Sequence, residues 1–390
     1  MTDAARTDAT LAPAAAPRAT GAPSTHGGYL FGPLTDFIYL GGGSLIILGL
    51  IALFLPQGIT EAQEFSLMMV LMLLINQPHF AHSYQMFYRN FGAKAFGPSY
   101  ARSLRIRYVF AGIVVPVVLI AFLAFGVMSA LESKTTEILG YAFNAMFFFV
   151  GWHYVKQGYG ILIVDSVQKR QFFSENTKRI LRANAYFCWL LTWTGLNNSI
   201  SKVAPQVGIA YHTLALPALV YDVMLAAGIV STLVMLAALA QCCRTKGTLP
   251  WNGVIAYLAS LYVWVVFARS NPLVYVIVPT FHSLQYLAVV WRYQLNAAAE
   301  AASRKSRTDM GFILLRLFGF VALGTLLGYL AMDAIPRFLD SRFHYDQGIF
   351  GPNLIYFAFI VFINIHHYFL DNVMWRRGNP DVQQYIFRPR

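Results

Sequence analysis

Charge is scarce in this chain. Asp, Glu, Lys and Arg make up 12% of its 390 residues, about half the ~25% of an ordinary soluble domain. With 57% hydrophobic residues, the shortage excludes a charge-coated soluble enzyme and places the chain among integral membrane proteins. Cysteine is scarce too. Cys188 lies in an apolar run and Cys242 and Cys243 are neighbours, so neither a disulfide framework nor a CxxC metal site is expected. The N-terminus lacks an apolar core. Residues 1–28, "MTDAARTDATLAPAAAPRATGAPSTHGG", exclude a signal peptide and predict a disordered tail in which His26 bears on no function. Acidic residues number 17 against 29 Lys and Arg, a net charge of +12. That surplus suits nucleic acid as a partner, but no nucleic-acid-binding motif is present. The positive residues instead fall in short clusters between apolar runs, as membrane loops do.

Long apolar runs are what the chain has in abundance. Crossing a bilayer takes about 20 residues. Runs of that order lie near 38–56, 64–88, 107–130, 138–163, 184–200, 214–240, 251–268, 272–293, 311–333 and 352–375. The expected fold is therefore an all-α polytopic bundle of about ten transmembrane helices over residues 29–376. The loops at 89–107, 165–182, 244–246 and 292–307 are rich in Lys and Arg, as is the tail 377–390, and they alternate with loops poor in both. Basic loops face the cytoplasm. Both termini then fall on the cytoplasmic side, and the expected location is a bacterial inner (cytoplasmic) membrane. No internal repeat suggests two related halves.

Six of the nine histidines lie inside these runs. His79 and His82 sit in "NQPHFAHSYQMFYR", His153 in "GWHYVKQGYG", His282 in "PTFHSLQYLAVVWR", and His366 and His367 in "INIHHYFLDNVMWRR". His212 and His344 fall in loops, as solvated polar residues do. Ionisable groups inside a membrane are costly and mark functional sites. Depth is the informative quantity. His79, His282 and His366 each precede a basic residue (Arg89, Arg292, Arg376) by ten positions, about 15 Å along a helix and half the hydrocarbon thickness. His153 precedes Asp165 by twelve. Four helices running in one direction thus offer an imidazole at one level, and imidazole is a common ligand for iron, zinc and copper. His79 and His82 are three apart and suit one face. His366 and His367 point about 100° apart, so one of the two is expected to ligate, with His366 matching the common depth. Asp371, four residues after His367, shares its face and is placed to ligate or to orient an imidazole. Gln157 and Gln285 are further polar neighbours. Tyr84, Tyr154 and Tyr368 read as packing aromatics, and Lys156 as a snorkelling lysine.

At these four segments the chain resembles the Brp/Blh family of membrane β-carotene 15,15′-dioxygenases. His79, His153, His282 and His366 fall on the family's four histidine positions, and Asp371 on its late aspartate. The sequence departs from the family pattern at Ser83, where the family has Asp, and at Tyr286, where it has a second histidine. His82 and His367 have no counterpart. The resemblance covers about 45 residues in four islands. It implies a non-haem Fe(II) centre that activates O2 beside a lipophilic carotenoid, isoprenoid or acyl-chain substrate. The candidate metal ligands are then His79, His82, His153, His282, His366 and His367, with Asp371 and Tyr286 as candidate catalytic side chains. The expected partners are that lipophilic small molecule and membrane lipids, with no nucleic acid.

Three other functions fit parts of the pattern. A di-iron desaturase needs more histidines than "HFAH" and "HH" supply. A haem-binding electron carrier needs only two imidazoles at one depth. A histidine-dependent transporter is expected to carry acidic residues along the bundle, and Asp371 is the one clearly deep in a run.

Overall fold

The computed structural model describes residues 28–56, 58–199, 209–263, 273–305, 310–376 and 378–387. Among them there is no strand. The main helices are α1 Pro33–Phe54, α2 61–88, α3 Phe91–Phe96, α4 Arg102–Ser133, α5 Glu137–Gln168, α6 Glu175–Ser199, α7 Ala218–Lys246, α8 Trp251–Val263, α9 Leu273–Arg304, α10 Met310–Arg342 and α11 Leu354–Met374. Six segments are long and apolar enough to cross a membrane: α1, α4, α5, α7, α10 and Gln347–Met374, which contains α11. That is the make-up of a multi-pass membrane protein. The runs at 64–88, 184–200 and 272–293 are helical over their described residues and more polar, and α2 and α9 carry His79, Ser83, His282 and Ser283. The run at 251–268 is helical as far as Val263 and continues outside the described residues, as do Arg307, Arg377 and the tail with His26.

The arrangement follows the placement of apolar side chains. On α7 and α10 the large apolar residues point outward, among them Ile229, Leu233, Leu315 and Phe318. In water so much exposed apolar surface is a liability, whereas in a bilayer it is the natural outer wall. The polar stretches of α2, α5, α9 and α11 lie inward.

Prolines fix the local shape of three helices. Wide π-turns at Met72–Asn76, Phe110–Val114 and Leu330–Ala334 each end two residues before a proline: Pro78, Pro116 and Pro336. A proline ring lacks the N–H and clashes with the carbonyl four residues back. The wider turn makes room for it, and such bulges gather at functional sites. Pro78 is followed at once by His79.

The ends of the key helices are tied down. Thr60 and Gln63 form a reciprocal cap on α2, with Thr60 N donating to Gln63 Oε1 at 3.1 Å and Gln63 N to Thr60 Oγ1 at 3.4 Å. At the other end of α2, Asn90 takes the left-handed conformation and buried Lys94 donates to the carbonyls of Met86 (2.7 Å) and Phe87 (3.4 Å). Asp340 of α10 accepts from Ile355 N and Tyr356 N, both at 2.8 Å, and so satisfies the first turn of α11. α10 comes close to α2 through glycine. A Cβ at Gly324 would lie 2.3 Å from His82 Cε1, and one at Gly328 would lie 2.8 Å from the Gln77 carbonyl oxygen. Residues 378–387 pack back onto the bundle, with Asn379 Nδ2 donating to Tyr108 OH (2.9 Å) and Asn296 Nδ2 to the Tyr385 carbonyl (2.7 Å).

Candidate metal centre

α2, α5, α9 and α11 each bring one histidine to a common point: His79, His153, His282 and His367. One ring nitrogen from each lies within 4.8 Å of the others, and all four residues are buried. The rings meet edge to face, with centroids 5.1 Å apart for His79–His282, 4.5 Å for His79–His367, 4.8 Å for His153–His282 and 4.9 Å for His153–His367. Opposite ligands of an ion with ~2.1 Å bonds to imidazole stand about 4.2 Å apart. A spread of at most 4.8 Å is therefore within an ångström or two of what one ion requires of every pair.

Seven polar atoms at this point have no hydrogen-bond partner among the described residues. His79 Nε2, His153 Nε2, both ring nitrogens of His282 and of His367, and Asp371 Oδ2 are buried without a hydrogen bond. Leaving one such group unsatisfied costs ~1–3 kcal/mol, so several gathered in one place call for a common partner. Asp371 Oδ2 stands 3.5 Å from His367 Nε2 and 3.7 Å from His153 Nε2. These distances exceed a hydrogen bond and suit atoms that share an ion. Four imidazole nitrogens and one carboxylate oxygen form a donor set for a transition metal.

Neighbouring residues aim these atoms. Ser283 Oγ pairs with His79 Nδ1 at 3.1 Å, which leaves Nε2 facing the cluster. Asp371 Oδ1 accepts from Ser83 Oγ (3.1 Å) and Tyr286 OH (3.2 Å), and Ser83 and Tyr286 are themselves 2.5 Å apart. Oδ2 is left turned toward the histidines. Tyr368 stacks on His153 with centroids 4.6 Å apart, Tyr154 lies 4.0 Å from His282, and Phe80 lies 4.9 Å from both His79 and His367. Gln157 Nε2 donates to the His282 carbonyl at 2.9 Å and to Gln285 Oε1 at 3.2 Å, so these glutamines fasten α5 to α9 rather than orient a ring.

Two histidines expected from the sequence as ligands stand elsewhere. His366 has both nitrogens engaged, Nδ1 with Tyr84 OH at 2.8 Å and Nε2 with the Ala111 carbonyl at 3.0 Å. The helical turn of about 100° per residue carries it to the side of α11 that meets α2 and α4, and carries His367 to the centre. His82 turns the other way, with Nδ1 on Gln85 Oε1 (2.8 Å) and its ring stacked 4.3 Å from Phe320 of α10. In the sequence Ser83 stands out only as a departure from a family pattern, and Ser283 does not stand out. Both directly follow a histidine, in the His-Ser pairs 82–83 and 282–283, which is the sequence signal they share.

No protein-family model, no curated protein and no solved structure matches this chain.

Proposed function

We propose that the chain is an integral membrane metalloenzyme that holds one Fe(II) ion between His79, His153, His282 and His367, with Asp371 Oδ2 as a fifth ligand. The observation that carries this reading is the convergence of buried ligand atoms without hydrogen bonds from five residues on four helices. A nitrogen-rich shell favours iron over magnesium or calcium. When bound, the ion supplies the activation of O2. The chain's own residues hold the site in shape: Ser283 fixes the His79 ring, Ser83 and Tyr286 direct their hydroxyl protons at Asp371 Oδ1, and Phe80, Tyr154 and Tyr368 keep water out. The substrate class is a lipophilic carotenoid, isoprenoid or acyl chain taken from the bilayer, in keeping with the resemblance at the four histidine segments. The topology that goes with this reading has ten spans, including α2, α6 and α9, with both termini in the cytoplasm of a bacterium. Haem fits less well, because four imidazoles within 4.8 Å of one another leave no space for a macrocycle between any two of them.

Elemental analysis of detergent-purified protein, beside a His153→Ala/His282→Ala variant of unchanged fold, tests the site. About one iron per wild-type chain, absent from the variant and without a Soret band, supports it. O2 uptake with a panel of polyenes and fatty acids then tests the chemistry. Wild-type protein that takes up no metal after anaerobic Fe(II) reconstitution refutes the proposal.

A further inference from the structure

One cation inside the bundle is left unused by the metal centre. Lys156 lies on α5, three residues after His153. Its ammonium does not turn to Asp371. It donates to Asn372 Oδ1 and stands 4.4 Å from the Trp152 ring centroid. The same asparagine holds a second cation, with Arg376 Nε donating to the Asn372 carbonyl at 3.1 Å. Arg107, exposed on α4 about one turn before Phe110, whose ring lies 6.2 Å from that of Phe369 on α11, adds a third positive charge on this side of the bundle. None of the three has a carboxylate partner among the described residues. Three cations gathered on one side of a membrane bundle without a carboxylate partner are costly, and an anion from outside the chain offsets that cost.

The surface running from these cations is aromatic. Phe369 lies 6.5 Å from Trp152, 5.4 Å from Phe149 and 6.2 Å from Phe110 between ring centroids. All four rings are partly or largely exposed. An anion site at one end of an apolar track matches an amphiphile rather than a soluble ion. Lys156 reaches toward Asn372, four residues short of Arg376, as a lysine does when it carries its charge up to the headgroup level.

We propose that Lys156, Arg107 and Arg376 bind the phosphate of an acidic membrane phospholipid, whose acyl chains lie along Phe110, Phe149, Trp152 and Phe369. The non-bridging phosphate oxygens accept from the three cations. A zwitterionic headgroup is disfavoured because its ammonium faces the same three charges. The site is independent of the metal and is read by lipid retention, so its failure leaves the iron proposal intact.

Native mass spectrometry of the full chain in neutral detergent tests it, with phosphatidylglycerol, phosphatidylcholine and glycerol phosphate as probes. Wild-type protein is expected to retain phosphatidylglycerol in preference to the other two. Lys156→Met, Arg376→Gln and Arg107→Gln are each expected to weaken that retention about fivefold, the equivalent of the ~1 kcal/mol that one basic residue contributes at an anionic surface. Lys156→Arg is expected to keep it, and so is Arg316→Gln on α10. Arg107→Gln changes an exposed side chain with no hydrogen bond among the described residues, so it serves if Lys156→Met does not fold. Equal retention of phosphatidylglycerol and phosphatidylcholine overturns the proposal. So does glycerol phosphate binding as tightly as the lipid, or folded variants that all bind as wild type does.

Discussion

The adjacent pair His366 and His367 offers the most direct test of the metal centre, because one substitution type at two neighbouring positions is expected to have opposite effects. His367→Ala removes one of four converging imidazoles. Loss of a hydrogen bond to a ligating histidine already lowers metal affinity ~10–100-fold, so loss of the ligand itself is expected to cost more than that. In metal-free protein the same change is expected to be nearly neutral. It leaves a cavity, but it also removes two buried nitrogens that have no partner and whose desolvation costs ~1–3 kcal/mol each. His366→Ala does the reverse. It strands Tyr84 OH and frees the Ala111 carbonyl, a loss of ~1–3 kcal/mol of stability, and it leaves the four converging imidazoles untouched. The assay is thermal unfolding with and without Fe(II), together with iron content. At a hundredfold excess over Kd, bound metal stabilises by ~2.7 kcal/mol. Wild type and His366→Ala are expected to show that gain, with His366→Ala starting from a lower midpoint. His367→Ala is expected to start near wild type and gain nothing. If His366→Ala loses iron and His367→Ala keeps it, the assignment of the centre is wrong.

Three further outcomes follow from the same geometry. Ser283→Ala frees the His79 ring and is expected to weaken iron binding ~10–100-fold at unchanged fold, measured by chelator competition. His82→Phe keeps the stack on Phe320 and is expected to leave iron content at the wild-type level in elemental analysis. Lys94, outside the spans, is held down to about 8 by burial, with the Arg89 charge adding to that and Asp381 opposing it. Its folded value lies below the unfolded one, so the unfolded chain binds the extra proton between pH 8 and the usual lysine range near 10.5. Stability is expected to rise with pH across that window, by at most ~1.4 kcal/mol per unit. Denaturation midpoints at pH 8, 9 and 10 check it, with Lys94→Met removing the slope.

The membrane class, the helical fold and the histidine layer were legible in the sequence for a simple reason. Hydropathy and residue depth are one-dimensional quantities, and a helix converts sequence separation into height at a fixed rise per residue. His79, His153 and His282 could therefore be placed at one level before any packing was known. Rotation about the helix axis is another matter. His366 and His367 differ by one residue in height and by about 100° in direction, and only the packing of α11 against α2, α4 and α5 turns His367 inward. His82 shows the same limit. Its spacing of three from His79 suits one face, yet the close approach of α10 at Gly324 places its ring against Phe320 instead. The sequence by itself determined that imidazoles would share a depth inside a membrane bundle. Only the tertiary structure decided which of them meet, because the side a residue faces is set by neighbours hundreds of positions away: Ser83, Tyr286 and Asp371 come together from three helices.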